Sequence, residues 1–224
     1  MNSNVGRFYL KAGYVVLFIL LSAPLFAHSI NYALANAPEG DVAWYYFKLG
    51  FQHIIPRGVD HILFVAGLCL LSANVRTILC QATAFTIAHS ITLALSMKNI
   101  IVAPPAIVEP IISLSILFVA VENMMLNELK PWRVLIVFLF GLIHGMGFAS
   151  SLNEIGLPPD KFYTSILSFN LGVESGQIAV IAGMFLMVLA PTKKSRNYRK
   201  VIVYPLSSLI AIVAMYWTIE RIFF

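Results

Sequence analysis

The sequence predicts an all-α protein, a polytopic bundle of about six membrane-spanning helices that follows an N-terminal signal peptide or one extra helix. Of its 224 residues, 59% are apolar and only 11% are charged, whereas a soluble domain carries about 25% charged residues. The mean hydropathy is +0.85, and the apolar residues form long runs with no alternating pattern of the kind seen in barrel strands. These observations exclude an ordinary soluble enzyme, a disordered chain and a disulfide scaffold.

The first 27 residues have the pattern of a secretory signal or an N-terminal anchor. Arg7 and Lys11 precede an apolar stretch over 12–26, which is shorter than the roughly 20 residues of a spanning helix. Residues 28–57 are predicted to form an extracytoplasmic segment. Its aromatic cluster at 44–47 is typical of a short helix at the membrane–water interface.

Six apolar runs follow and form the predicted membrane domain, residues 58–224. Backbone polar groups must be satisfied within hydrocarbon, so each run is expected to be a helix. The first run is the shortest and begins just after Pro56. The predicted spans are 58–73, 78–97, 106–125, 132–152, 162–189 and 201–223.

The basic residues predict an orientation in the membrane. Those between the first and second, third and fourth, and fifth and sixth runs are Arg76, Lys130, Arg133, Lys193, Lys194, Arg196, Arg199 and Lys200. Because cytoplasmic loops carry the excess of Lys and Arg, this side is expected to face the cytoplasm. The mature chain would then begin and end outside the cytoplasmic (inner) membrane. The net charge of +5 is thereby explained by topology, and no nucleic-acid partner is expected.

Three ionisable residues fall near the middle of predicted spans. At about 1.5 Å per residue, His89, His144 and Glu174 lie about 17–18 Å from the start of their runs, in a core about 30 Å thick. Each such residue costs about 2.5–3.5 kcal/mol on insertion scales, and they commonly mark functional sites. A hydrogen-bonded histidine that serves packing, or a neutral carboxyl in a structural network, is the alternative interpretation.

Asp60 and His61 open the first run and have two interpretations. An aspartate at a helix start is a good N-cap, which places the pair near the membrane surface. The two residues join the midplane groups only if the segment around Pro56 and Gly58 dips into the bundle.

Two carboxylates and three imidazoles together favour a divalent-metal site. Neutral imidazole suits nickel, cobalt or zinc, whereas magnesium and calcium prefer oxygen ligands. Asn170, Glu174 and Gln177 recur at helical spacing and form one polar stripe. The predicted ligands are Asp60, His61, His89, His144 and Glu174. Additional ligands, or groups that orient the ligands, are His53, Thr86, Ser90, Asn170 and Gln177.

Several separated segments resemble the HupE/UreJ family, bacterial membrane proteins linked with hydrogenase and urease accessory functions. The segments are GFQHI at 50–54, GVDHILF at 58–64, AFTIAHSITL at 84–93, GLIHGMGFA at 141–149 and FNLGVESGQ at 169–177. Ile54 and Ile55 stand where the hydrogenase-linked members carry His-Pro, so the sequence resembles the second branch of the family. The resemblance implies a nickel or cobalt permease of the cytoplasmic membrane.

The leading functional hypothesis is therefore a divalent-metal permease, since transporter sites usually lie between helices at the midplane. A zinc-dependent intramembrane hydrolase would use the same residues, with Glu174 or Asp60 as general base. A non-catalytic membrane accessory protein, whose polar cluster only holds helices together, is the third hypothesis. The residues alone do not separate these three functions.

Overall fold

The computed structural model describes residues 34–72, 74–192 and 197–224, and every regular element in these ranges is helical. The predicted signal peptide or anchor at 1–27 lies outside the described residues, as do Lys193, Lys194 and Arg196. The seven main helices are α1 Glu39–Ile54, α2 Val59–Leu70, α3 Val75–Met97, α4 Pro105–Met125, α5 Arg133–Ile155, α6 Phe162–Met184 and α7 Tyr204–Phe223. Short helical turns extend α6 at both ends and lead into α7.

Five of these helical segments are long and apolar enough to cross a membrane. They correspond to the second through sixth predicted spans, so the all-α, membrane-spanning prediction is confirmed. The apolar side chains on their outer faces remain exposed, as expected where lipid replaces water; examples are Leu135, Leu167 and Ile212. The molecule is therefore a multi-pass membrane protein surrounded by the bilayer.

The first predicted span takes a different form. Helix α2 has 12 residues and a length of about 18 Å, too short to cross alone. It meets α1 at a bend of 68°, and only the two helices together satisfy the length and hydropathy of a span. Hydropathy detected the apolar α2, but α1 carries Glu39, Asp41 and Lys48 and so looked extracytoplasmic.

Helix α1, expected from sequence as an interfacial helix, packs along α6 in the structure. A side chain at Gly50 would overlap the backbone of Phe169, and one at Gly172 would overlap that of Phe47. Further along, Ile54 lies against Gly176. From Glu39–Thr164 through Phe47–Gly172 to Ile54–Gly176, the contacts advance in the same direction on both helices, so α1 and α6 run parallel with their backbones in contact.

The bent pair connects the two ends of the bundle. At one end, called here the Glu39 end, Glu39 accepts a hydrogen bond from Thr164 at 2.6 Å. At the other end, called the Arg199 end, the Tyr198 hydroxyl donates to the carbonyl of Leu70 at 3.2 Å. Helices α1 and α2 together thus reach from one end of the bundle to the other, and the bend between them lies beside the middle part of α3.

Close packing of α3 against α5 fixes the central part of the bundle. A Cβ at Gly141 would overlap the Phe85 carbonyl, and one at Gly145 would overlap that of His89. This is the close approach that the four-residue spacing of the two glycines predicts. The backbone of His89 therefore lies against Gly145 of α5, the residue that follows His144.

A buried ion pair lies nearer the Arg199 end. Arg133 Nε is 3.3 Å from Glu122 Oε2, and both side chains are almost fully buried. Arg133 also donates to Asn123 Oδ1 at 3.1 Å, and Asn123 donates to the Gly67 carbonyl at 2.8 Å. The network joins α2, α4 and α5 on the Arg199 side of the bend.

Candidate metal centre

Three histidines converge at the bend between α1 and α2. His53 lies in the last turn of α1, His61 in the first turn of α2, and His89 near the middle of α3. One ring nitrogen from each lies within 4.8 Å of the other two. A tetrahedral ion with nitrogen ligands at 2.0–2.1 Å needs donors about 3.3 Å apart, so small movements of the rings are enough to reach that spacing.

The three rings occupy an apolar enclosure. His53 packs on Phe148 with ring centroids 3.8 Å apart, and Phe85 flanks both His61 and His89 at 5.8 and 6.2 Å. His89 is fully buried and His61 nearly so. Such walls lower the local polarity around the rings and strengthen electrostatic interactions within the site.

Several buried ring nitrogens of this cluster have no hydrogen-bond partner within the described part of the chain. Among the described residues, no hydrogen bond of normal geometry reaches His53 Nε2, His61 Nε2 or either ring nitrogen of His89, and the Asn170 side chain is the polar group beside His89. Buried polar atoms are almost always paired, and those that are not call for an explanation. A bound cation would supply the missing partner, so the donor set fits a metal that prefers imidazole.

His144 lies beside this group on α5. Its ring centroid is 5.1 Å from that of His61, and its Nε2 is 2.9 Å from Ser115 Oγ on α4. The Nδ1 atom has no hydrogen-bond partner in the described part of the chain. Ser115 thus holds the His144 ring beside His61, next to the three-histidine group.

Asp60 is directed elsewhere. Its Oδ2 forms an ion pair with Arg221 of α7 at 2.9 Å. Successive residues on a helix point about 100° apart, because a turn holds 3.6 residues. Since His61 faces His53 and His89, the neighbouring Asp60 faces α7 instead.

A polar seam continues from the histidines between α3 and α6. Asn170 lies next to His89 and donates to the Ile166 carbonyl at 2.8 Å. Thr86 donates to Gln177 Oε1 at 3.1 Å. Thr83 donates to Glu174 Oε1 at 2.6 Å, and because Thr83 is exposed the Glu174 carboxylate lies at the outer edge of the seam, outside the three-histidine group.

Ser90, the remaining residue that the sequence analysis singled out, is committed to its own helix. Its hydroxyl donates to the Thr86 carbonyl at 2.6 Å. This contact lies one turn back along α3 and uses the single proton of the hydroxyl.

A cavity of about 420 Å³ leads from the Glu39 end of the bundle to the histidines. Its inner wall includes His53, His61 and His144. Its outer part is lined by charged side chains and one large aromatic ring, namely Arg57, Asp60, Glu109, Trp217 and Arg221. The cluster is therefore reachable from one side of the membrane through a polar opening.

Arg221 carries no functional signal of its own in the sequence, where it is one charge at the end of the last predicted span. The signal available was Asp60, since a carboxylate at the head of an apolar run calls for a counter-charge. Several basic residues near span ends were equally suitable partners. Only the packing of α7 against α2 and α4 selects Arg221.

Comparison with known proteins identifies a family. The family model described as HupE / UreJ protein matches residues 26–221, nearly the whole chain. No curated protein and no solved structure matches the chain.

Proposed function

Because the chain belongs to the HupE / UreJ protein family, we propose that it is an integral-membrane permease for a divalent cation of the nickel or cobalt type. The observation that carries the proposal is the grouping of His53, His61 and His89, whose ring nitrogens lie within 4.8 Å of one another. The three rings meet at mid-depth, where a discontinuous helix is broken. Broken helices at this depth are a recurring construction of transporter binding sites.

The chemistry of the three donors favours a borderline transition metal. Imidazole nitrogen suits nickel, cobalt, zinc and copper, whereas calcium and magnesium need several oxygens. Three neutral ligands leave the positive charge of the ion uncompensated, which limits how tightly a carrier holds its cargo. His144, next to His61, is the group best placed to receive the ion if it shifts within the site.

The cavity and the polar seam supply the route. We assign entry to the cavity at the Glu39 end, which ends at His53, His61 and His144. We assign exit to the seam between α3 and α6, where Asn170 and Gln177 follow His89 toward the Arg199 end. The Glu174 carboxylate in this seam would attract a cation that leaves the histidines.

The proposed location is the bacterial cytoplasmic membrane, with the Glu39 end outside. In the described part of the chain, the Arg199 end carries Arg76, Lys130, Arg199 and Lys200, and this basic side is expected to face the cytoplasm. Helix α7 ends at the opposite side, so the C-terminus would be extracytoplasmic. The ion would then enter from outside, and the proposed direction is uptake.

The test is Ni²⁺ uptake by proteoliposomes that contain the full-length protein, paired with Ni²⁺ binding by the same protein in detergent. Wild type is expected to bind and accumulate Ni²⁺, and His89→Ala to do neither. Cys69→Ala serves as the matched control, because it removes a buried potential metal ligand outside the cluster. It is expected to behave as wild type.

Two results would replace the proposal with one of its alternatives. Binding without uptake would favour a zinc-type hydrolase or an accessory role, and a lipid or peptide hydrolysis assay would then decide between them. A purified protein that holds no Ni²⁺, Co²⁺ or Zn²⁺ would leave the histidines as a structural network.

A further inference from the structure

Arg221 is held at the cavity mouth by three contacts. Its Nη2 pairs with Asp60 Oδ2 at 2.9 Å, its Nη1 donates to the Glu109 carbonyl at 3.2 Å, and its guanidinium lies 5.5 Å from the centroid of the Trp217 ring. The Asp60 side chain is 24% exposed and that of Arg221 21%. The ion pair is therefore accessible from the cavity yet partly shielded from water.

The charges that line the cavity cancel. Arg57 and Arg221 balance Asp60 and Glu109, so the formal charge of the lining is zero. A neutral entrance does not concentrate divalent cations, whereas an entrance with one sign of charge does. Loss of either arginine would leave the lining at −1, but only loss of Arg221 would also free the Asp60 carboxylate at the outer part of the cavity.

We propose that Arg221 is a specificity-determining residue that occupies the cation position at Asp60 and so keeps hard divalent cations out of the histidine site. This inference rests on the proposed function. With Asp60 paired, the donors at the inner end of the cavity are imidazole nitrogens, which Mg²⁺ and Ca²⁺ bind poorly. A nickel-type ion binds those nitrogens without needing the carboxylate.

Two features make the arrangement suited to this role. Asp60 lies in the first turn of α2, where the helix dipole favours a negative charge, so the carboxylate remains an attractive ligand whenever the guanidinium moves away. Arg221 keeps two other contacts, to Glu109 and Trp217. It can therefore leave Asp60 without leaving the cavity mouth.

The experiment measures Ni²⁺ binding to the purified full-length protein with and without excess Mg²⁺. Wild type is expected to bind Ni²⁺ with little inhibition by Mg²⁺. Arg221→Gln is expected to become sensitive, its apparent inhibition constant for Mg²⁺ falling by roughly tenfold or more, as expected when a positive charge beside the bound ion is removed. Adding Asp60→Asn to Arg221→Gln is expected to restore insensitivity, because the carboxylate oxygens are gone.

Arg57→Gln is the matched control, since it removes one positive charge from the same cavity but leaves the Asp60–Arg221 pair in place. Because it also leaves the lining at −1, it is expected to become only slightly more sensitive to Mg²⁺ than wild type, far less than Arg221→Gln. If it becomes as sensitive to Mg²⁺ as Arg221→Gln, net charge rather than the ion pair sets specificity, and the inference is overturned.

An Arg221→Gln variant that stays insensitive to Mg²⁺ would also overturn it. Should that variant not fold, Trp217→Leu loosens the guanidinium without removing its charge. It is expected to show an intermediate sensitivity, and no change from wild type would count against the inference. A wild-type protein that binds no Ni²⁺ at all would instead refute the proposed function itself.

Discussion

His53 and His61 face each other across the break between α1 and α2, with ring centroids 4.7 Å apart and planes 67° from parallel. Each ring also lies about 6 Å from His89, at 6.1 Å for His53 and 6.0 Å for His61. The bend therefore creates the site, because it brings the end of one helix and the start of the next to the same face of α3.

The three converging histidines should be more important for metal binding than His144. Alanine at His53, His61 or His89 is expected to weaken Ni²⁺ binding by about a hundredfold or more, since each removes a ligand. His144→Ala is expected to cost about tenfold, the lower end of what neighbouring groups contribute. Isothermal titration of the detergent-purified variants measures the difference, and equal losses at all four positions would indicate that His144 is a fourth ligand.

Glu174→Gln should separate binding from transport. The amide keeps the size of the side chain and can still accept the Thr83 hydrogen bond, but it has no charge to attract a leaving cation. Ni²⁺ affinity in detergent is expected to stay within about threefold of wild type, while the initial uptake rate into proteoliposomes falls by about tenfold or more.

Thr83→Val is the companion variant for this prediction. It removes the hydrogen bond and keeps the carboxylate, so uptake is expected to remain close to wild type. Uptake by Glu174→Gln at the wild-type rate would exclude the carboxylate from the exit route.

Gly172→Ala should disrupt the site from a distance. The added methyl would overlap the Phe47 carbonyl, which forces α1 away from α6 and moves His53. Overpacking of this kind costs about 1–3 kcal/mol, so both the unfolding temperature in detergent and the affinity for Ni²⁺ are expected to fall. Gly40→Ala is the control, because its added methyl would meet no atom within 4 Å; a comparable loss there would contradict the packing argument.

Replacing one partner of the buried Arg133–Glu122 pair should destabilise the folded protein far more than replacing both. Glu122→Gln leaves an uncompensated guanidinium that is only 1% exposed, with an expected loss of about 3–5 kcal/mol. The double variant Glu122→Met with Arg133→Leu is expected to recover most of that stability. Thermal unfolding in one detergent compares the three proteins, and a double variant less stable than Glu122→Gln would show that the pair stabilises the bundle beyond neutralising its own charges.

The long helices could be predicted from the sequence because hydropathy and length decide them. Helices α3 through α6 begin and end within a few residues of the predicted runs. The bent pair could not be predicted in this way. Helix α1 buries Tyr46, Gly50 and Ile54 against its neighbours, and this depends on the matching surface of α6 rather than on overall polarity.

The site could be predicted only in part, because the sequence does not show how each helix is rotated about its axis. The residue types and depth of His89 and His144 are visible in the sequence, and the polar stripe on α6 is visible from its helical spacing. Which side chains share a point is decided by helix rotation: Asp60 and His61 are neighbours in sequence but meet Arg221 and His53, respectively. The roles of Asp60, His144 and Glu174 as ligands stay predictions until metal binding is measured.

Under the proposed function, the 68° angle between α1 and α2 offers a way to release the bound ion. His53 lies on α1 and His61 on α2, on either side of the bend, whereas His89 lies on α3. Straightening this bend would move one histidine away from the other two, so the ion would be left with two of its three ligands. Binding and release of the ion would then depend on the angle between α1 and α2, while the other helices stay in place.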